Sequence, residues 1–197
     1  MKLLIAEQDR DFPGAFTALL SLDGHDVTTV YDGTQVLTRI AAESFDTAIV
    51  DESLPRIPHR ELIETLRKDS VPVIVLTSKR LSADKLQGEI LANAYLPLPF
   101  LPEELIKLID SVNDKKNSSG KLVFEDAVIV PSDFRLCGEL PVTAGEIDVF
   151  SALLKNEPIN NKRSGVYISS LNAKLGQLGK KTRIRYLINE GYRLVRI

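Results

Sequence analysis

The chain has 197 residues, 44% of them hydrophobic and 26% charged, with a formal net charge of −2. That is the composition of ordinary globular proteins, and the length suits one large or two small domains. The single Cys137 excludes an intramolecular disulfide, no apolar run is long enough for a bilayer, and the start of the chain does not read as a signal peptide. A cytoplasmic protein without membrane contact is the simplest expectation.

In chain order, Lys2–Ala6 is a short apolar strand followed by EQDRD. Phe16, Leu19, Leu20 and Leu22 recur at helical spacing until Asp23-Gly24 stops the helix. Val27–Val30 is β-branched and strand-like. Val36, Leu37, Ile40 and Ala41 form a second helical stripe after the Asp32-Gly33 turn. Thr47–Val50 is a buried strand ending at Asp51, and Leu62, Ile63 and Leu66 belong to a third helix. Val71–Leu76 is a nearly pure apolar strand ending at Thr77-Ser78. A helix at Asp84–Leu91, a strand at Ala94–Leu96 and a helix at Pro102–Val112 complete this half. The last helix carries its proline in the first turn, where no N–H is needed. Five apolar strands alternating with five helices predict a parallel sheet covered on both faces, with functional groups at the carboxyl ends of the strands. Those ends carry Glu7-Gln8-Asp9, Asp51 and Thr77-Ser78, with Leu98 just beyond the fifth. Carboxylates from two strand ends and a hydroxyl from a third suit a hard cation beside a phosphoryl group. Each residue taken singly also suits a helix N-cap.

IAEQD, IVDESLP, VIVLTS and ANAYLPLPF, in this order and spacing, resemble the receiver domain of bacterial two-component response regulators over residues 1–113. The resemblance implies a doubly wound five-stranded fold, with Asp51 as phosphoacceptor, Thr77 as switch hydroxyl and Tyr95 as switch aromatic. Glu7 and Gln8, followed by Asp9, match the acidic pocket at the end of the first strand. The resemblance also implies a cis Leu98–Pro99 bond. Three residues depart from the pattern. Leu98 stands where the family has a lysine that neutralises the phosphoryl oxygens, Gln8 replaces a carboxylate that binds Mg²⁺, and His59 replaces a usual glycine. An amide oxygen brings no charge to a cation that prefers carboxylates. The expectation is a receiver without a cofactor beyond weak Mg²⁺ binding, whose Asp51 is phosphorylated poorly or not at all.

Residues 1–119 hold 13 Lys and Arg against 19 Asp and Glu, whereas residues 120–197 hold 12 against 8. The polar stretch NDKKNSSG divides them, which gives a receiver at 1–113, a linker at 114–120 and a basic domain at 121–197. In the latter, Lys121–Val130 and Phe134–Leu140 read as short β segments. Thr143 and Glu146 make a T-x-x-E capping box ahead of a helix whose stripe is Ile147, Phe150, Leu153 and Leu154. Val166–Gly176 reads as a second helix, and Thr182–Leu187 with Tyr192–Ile197 as a hairpin. LPVTAGEIDVFSALL, VYISSLNAKLG and INEGYRLV resemble the effector domain of OmpR/PhoB-family transcription regulators. That implies a small winged-helix α+β domain, with Val166–Gly176 as recognition helix and the hairpin as wing. The helix that the family places between these two is deleted or reduced to a turn.

The resemblance assigns Ser169, Ser170, Asn172, Ala173, Lys174 and Gln177 to the outward face of that helix. It leaves Lys162, Arg163, Lys174, Lys180, Lys181, Arg183 and Arg185 for phosphates, which position without specifying sequence. It also implies a receiver homodimer through the helix before the fifth strand, that strand and the last helix. Leu91, Asn93, Leu105, Leu108 and Ile109 then form a largely apolar interface. The expected function is a DNA-binding transcription regulator, partnered by double-stranded DNA and a second copy and working without conventional aspartyl phosphorylation. The alternative is a protein-interaction adaptor. An enzyme is not expected, since no nucleophile–base pair or Gly-rich phosphate loop stands in the sequence.

Overall fold

The computed structural model describes residues 1–9, 12–78, 92–118, 120–159, 164–188 and 190–197. The helix expected at Asp84–Leu91 lies outside them, as do Leu91, Lys162 and Arg163 of the expected site residues. Among the described residues, 1–78 and 92–113 form one compact unit and 114–197 another.

The first unit is a doubly wound α/β sandwich. Its elements are β1 (Lys2–Ala6), α1 (Phe12–Leu22), β2 (Asp26–Val30), α2 (Gly33–Ala42), β3 (Thr47–Asp51), α3 (His59–Lys68), β4 (Val73–Thr77), β5 (Ala94–Pro97) and α4 (Pro102–Asn117). The five strands pair in the order β2-β1-β3-β4-β5, all parallel. β3 and β4 are buried at every position, as the unbroken apolar runs require of a sheet covered on both faces. Gly24 ends α1 with φ at +83°, a conformation that glycine adopts without strain. The chain order reverses between β1 and β3, so the crevice at their carboxyl ends is the topological switch point.

Helix α4 runs past Val112 to Asn117, so residues 114–117 of the stretch read as linker are helical. Apolar periodicity ends at Val112, but the helix does not need it. Lys115 and Lys116 stand in the last turn, where the helix dipole favours cations, Lys115 is buried with its Nζ 2.9 Å from Asp148 Oδ1, and Ser118 Oγ donates to the Asp114 carbonyl. Asn113 is buried and donates to Thr47 Oγ1 at 2.7 Å and to the Ile109 carbonyl at 2.9 Å, fastening α4 to β3.

The second unit opens with an antiparallel four-stranded sheet, β6 (Leu122–Phe124), β7 (Ala127–Val130), β8 (Arg135–Leu136) and β9 (Leu140–Pro141). Helices α5 (Ala144–Leu154) and α6 (Ser164–Gln177) follow, then the two-stranded hairpin β10 (Thr182–Leu187) and β11 (Gly191–Arg196). Phe150, Ile147, Leu153, Leu171 and Leu175 supply the core between the helices, and Ile184 and Leu194 bury one face of the hairpin. The capping box forms as the sequence predicts: Thr143 Oγ1 accepts from Glu146 N at 3.3 Å, and Glu146 Oε2 accepts from Thr143 N at 2.7 Å. The α5–α6 connection is residues 155–163, and its described part, 155–159, is turn and irregular chain.

Candidate functional site

In the parallel register Ala6 sits beside Val50 and Asp51 beside Leu76. One residue further on, Glu7 is level with Asp51 and Glu52 with Thr77. Adjacent strands lie less than 5 Å apart, so β1, β3 and β4 bring these groups together at the switch point. Glu7 is buried, and Asp51 is 9% exposed. Burial, and then its hydrogen bond to Asp51, push the Glu7 carboxyl up to about 7. Two carboxyls this close in a dry pocket are more stable sharing a proton than both ionised.

The turn after β3 folds back on Asp51. Ser53 donates both its backbone N–H and its hydroxyl to Asp51 Oδ1, at 2.5 Å each. Gln8 Nε2 reaches Ser53 Oγ at 3.3 Å, and Asp9 N donates to Glu7 Oε1 at 3.2 Å. Thr77 is buried and gives its hydroxyl to Glu52 Oε2. Tyr95 is buried too, at 6% exposure, in β5 beside Val75. Leu98 N donates to the Thr77 carbonyl at 2.8 Å, and the Leu98–Pro99 bond is cis.

This arrangement sits in a sequence whose residues 3–110 match the profile of the response regulator receiver domain. The chain belongs to that family. It is similar to the response regulator MprA of Mycobacterium avium, 32% identical over 109 residues that cover 54% of this chain and 48% of that protein. The MprA of Mycolicibacterium vanbaalenii is 27% identical over 168 residues, 79% of this chain and 73% of that one. The chain thus spans about half the length of the first of these relatives. A solved structure of a RitR mutant covers 100% of this chain and 99% of its own at TM-score 0.63 and 19% identity, a likeness of fold. No helix among the described residues is long and apolar enough to cross a membrane.

Within the receiver the expected positions converge: Glu7, Gln8, Asp9, Asp51, Thr77, Tyr95 and Leu98 all stand at or near the carboxyl ends of the strands. Two participants were missed from sequence. Glu52 is the acceptor for Thr77, and Ser53 holds Asp51. A signal for Ser53 existed, since an Asp side chain commonly accepts from the backbone two residues on. Mg²⁺ fits this donor set poorly. The Gln8 amide is turned to Ser53, and one Asp51 oxygen already accepts twice. Among the described residues no group of three or more His, Cys, Asp or Glu side chains could hold a metal ion.

The second unit corrects several expectations. Lys174 is 2% exposed, and its Nζ lies 2.6 and 2.8 Å from the two oxygens of the fully buried Glu146. Ser170 is fully buried and donates to Glu146 Oε1 at 2.7 Å. Neither faces outward. Both lie on the stripe of α6 that packs on α5, where a buried carboxylate needs a cation and further donors. Asn172 is also committed: its Nδ2 donates to the Ile184 carbonyl at 2.8 Å and its Oδ1 accepts from Ile184 N at 2.7 Å. Ser169 and Gln177 are exposed and Ala173 half-buried. Beyond the helix, Lys181 and Arg185 are exposed and Lys180 half-buried, while the half-buried Arg183 donates to the carbonyls of Lys180 and Thr182.

The apolar dimer face is corrected as well. Leu105 and Ile109 are in the receiver core, at 2% and 0% exposure, because the i, i+4 stripe of α4 that they share with Val112 is the one that packs inward. Asn93 Oδ1 accepts from Val73 N at 2.8 Å, a bond internal to the fold. Leu108 is half-buried.

Proposed function

We propose that this chain is a DNA-binding transcription regulator of the response-regulator type that works without conventional aspartyl phosphorylation. On this reading residues 1–113 are an atypical receiver and residues 121–197 a shortened winged-helix effector, acting in the cytoplasm. The observation that carries it is that the pocket's hydrogen bonds are already made within the chain. Ser53 occupies one oxygen of Asp51, and Glu52 receives the Thr77 hydroxyl. Phosphoryl transfer depends on positioning and on neutralising charge. Leu98 in the lysine position withdraws one charge-assisted hydrogen bond, about 1.5–3 kcal/mol, and each ~1.4 kcal/mol is tenfold in rate. Gln8 removes a carboxylate as well.

Acetyl phosphate with Mg²⁺, read by intact mass, tests the proposal: little or no modification is expected, and stoichiometric labelling at Asp51 refutes it. Gln8→Asp with Leu98→Lys should increase labelling. A second reading, a protein-interaction adaptor, is favoured by the inward commitment of Lys174, Ser170 and Asn172, which removes these three from any base-reading face of α6. Salt-dependent binding to duplex supports the regulator. A stable protein partner without duplex affinity supports the adaptor.

A further inference from the structure

Glu52 has no part in the chemistry that the receiver pattern assigns, yet it holds a residue on which that chemistry turns. The backbone bond from Glu52 N to the Leu76 carbonyl, 2.9 Å, sets it level with Thr77 at the end of β4. There its Oε2 takes the Thr77 hydroxyl. Thr77 is 1% exposed, and its backbone is fixed as well. Its carbonyl accepts from Leu98 N at 2.8 Å, and it stands in ladder register with Pro97. Rotation about χ1 is therefore the move left to Thr77 for changing partner.

A threonine hydroxyl carries one proton and donates to one acceptor at a time. A phosphoryl group on Asp51 would bring strong acceptor oxygens and about two negative charges to the same strand end, one residue before Glu52. The Thr77 proton would then have two claimants. A carboxylate already in place holds it by a charge-assisted bond, stronger than a neutral one. Glu52 is half-buried, so solvent screens its charge only in part, and that charge repels the incoming phosphoryl. Glu52 thus opposes modification in two separable ways. Neither depends on Gln8 or Leu98, so both persist where those two positions are restored.

We infer that Glu52 is the residue that withholds Thr77 from Asp51: its carboxylate occupies the place of a phosphoryl oxygen and keeps the Thr77 hydroxyl engaged whatever the state of Asp51. This rests on the reading of residues 1–113 as a receiver that works without conventional phosphorylation, and it adds a third determinant to that reading. Gln8 and Leu98 weaken the site by what they lack, whereas Glu52 acts by what it supplies.

The test uses the full chain with acetyl phosphate and Mg²⁺, read by intact mass. On the Gln8→Asp, Leu98→Lys background, Glu52→Ala should raise the rate of Asp51 labelling by about 10- to 100-fold, the effect of one regained bond to a charged group. Glu52→Gln removes the charge and keeps an acceptor oxygen, so its gain should be smaller. Adding Thr77→Ala should abolish most of the Glu52→Ala gain, since only the relief of charge remains. If Glu52→Ala gains nothing, or gains as much without the Thr77 hydroxyl, the inference fails and the phosphorylation-independent reading stands. Stoichiometric labelling of the wild-type chain overturns both. A second measurement needs no labelling and decides the matter where the background takes no label. Three-bond NMR couplings at Thr77 should report a single χ1 rotamer in wild type and Glu52→Gln, and averaging over rotamers in Glu52→Ala. A single fixed rotamer in Glu52→Ala would mean that another group holds Thr77, and it overturns the inference.

Discussion

Replacing Glu7 by Gln should stabilise the protein in a pH-dependent way. In the folded chain the Glu7 carboxyl titrates at about 7 against an ordinary glutamate value of 4.5, because it is buried and bonded to Asp51. Below about 4.5 it is protonated whether the chain is folded or not. Between 4.5 and 7 the folded state holds a proton that the unfolded state has released, so the contribution of this group to stability falls as pH rises. Above about 7 it is ionised in both states and the full penalty is present. That interval is worth about 3 kcal/mol, of the order of 1.4 per decade of proton concentration. Gln has the shape of the protonated acid, can donate to Asp51 and never ionises. Urea unfolding of wild type and Glu7→Gln should therefore differ by about 1 kcal/mol at about pH 5 and by about 3 kcal/mol at about pH 8, the variant being more stable. An equal difference at both pH values, or no gain at about pH 8, would show that Glu7 is not held protonated.

Lys174→Met should cost about 3–5 kcal/mol, because it leaves the buried Glu146 carboxylate without its cation; denaturant midpoints measure this, and a loss below about 1 kcal/mol would contradict a sealed pair. Asn172→Ala should destabilise by about 1–3 kcal/mol through the stranded backbone groups of Ile184. It should do so without changing preference among duplex sequences, and a change of preference at unaltered Tm would return Asn172 to the DNA. Leu105→Ala should lower stability by about 2–5 kcal/mol, as a core deletion does. Sedimentation of that variant should match wild type where both are folded, and a dissociated dimer with unaltered Tm would place Leu105 at an interface instead.

Much of the receiver was legible because its strands are short, apolar and stopped by polar residues. Counting along those runs was enough to put Glu7, Asp51 and Thr77 at neighbouring strand ends. The register that pairs Glu52 with Thr77 was not legible, since it is set by sheet pairing between segments 25 residues apart. In α6 the periodicity of Ile168, Leu171 and Leu175 was correct, but Ser170 and Lys174 at i, i+4 form a second buried stripe that polarity disguised. Their partner Glu146 was visible as a capping residue, and nothing local says that its carboxylate also serves a helix whose lysine is 28 positions away. The end of α4 was misplaced for a related reason: its last turn is held by charge and backbone, not by apolar contacts.

The double engagement of Glu146 bears on how the second unit opens. One carboxylate closes the first turn of α5 through Thr143 and receives Lys174 and Ser170 of α6. Fraying of α5 from its N-terminus would expose the Lys174 ammonium to an apolar interior, and detachment of α6 would leave the cap charged and buried. Neither helix can open cheaply alone. In hydrogen exchange the amides at the start of α5 and in the middle of α6 should then share one opening free energy and respond together to denaturant, so that two segments far apart in sequence behave as a single cooperative unit.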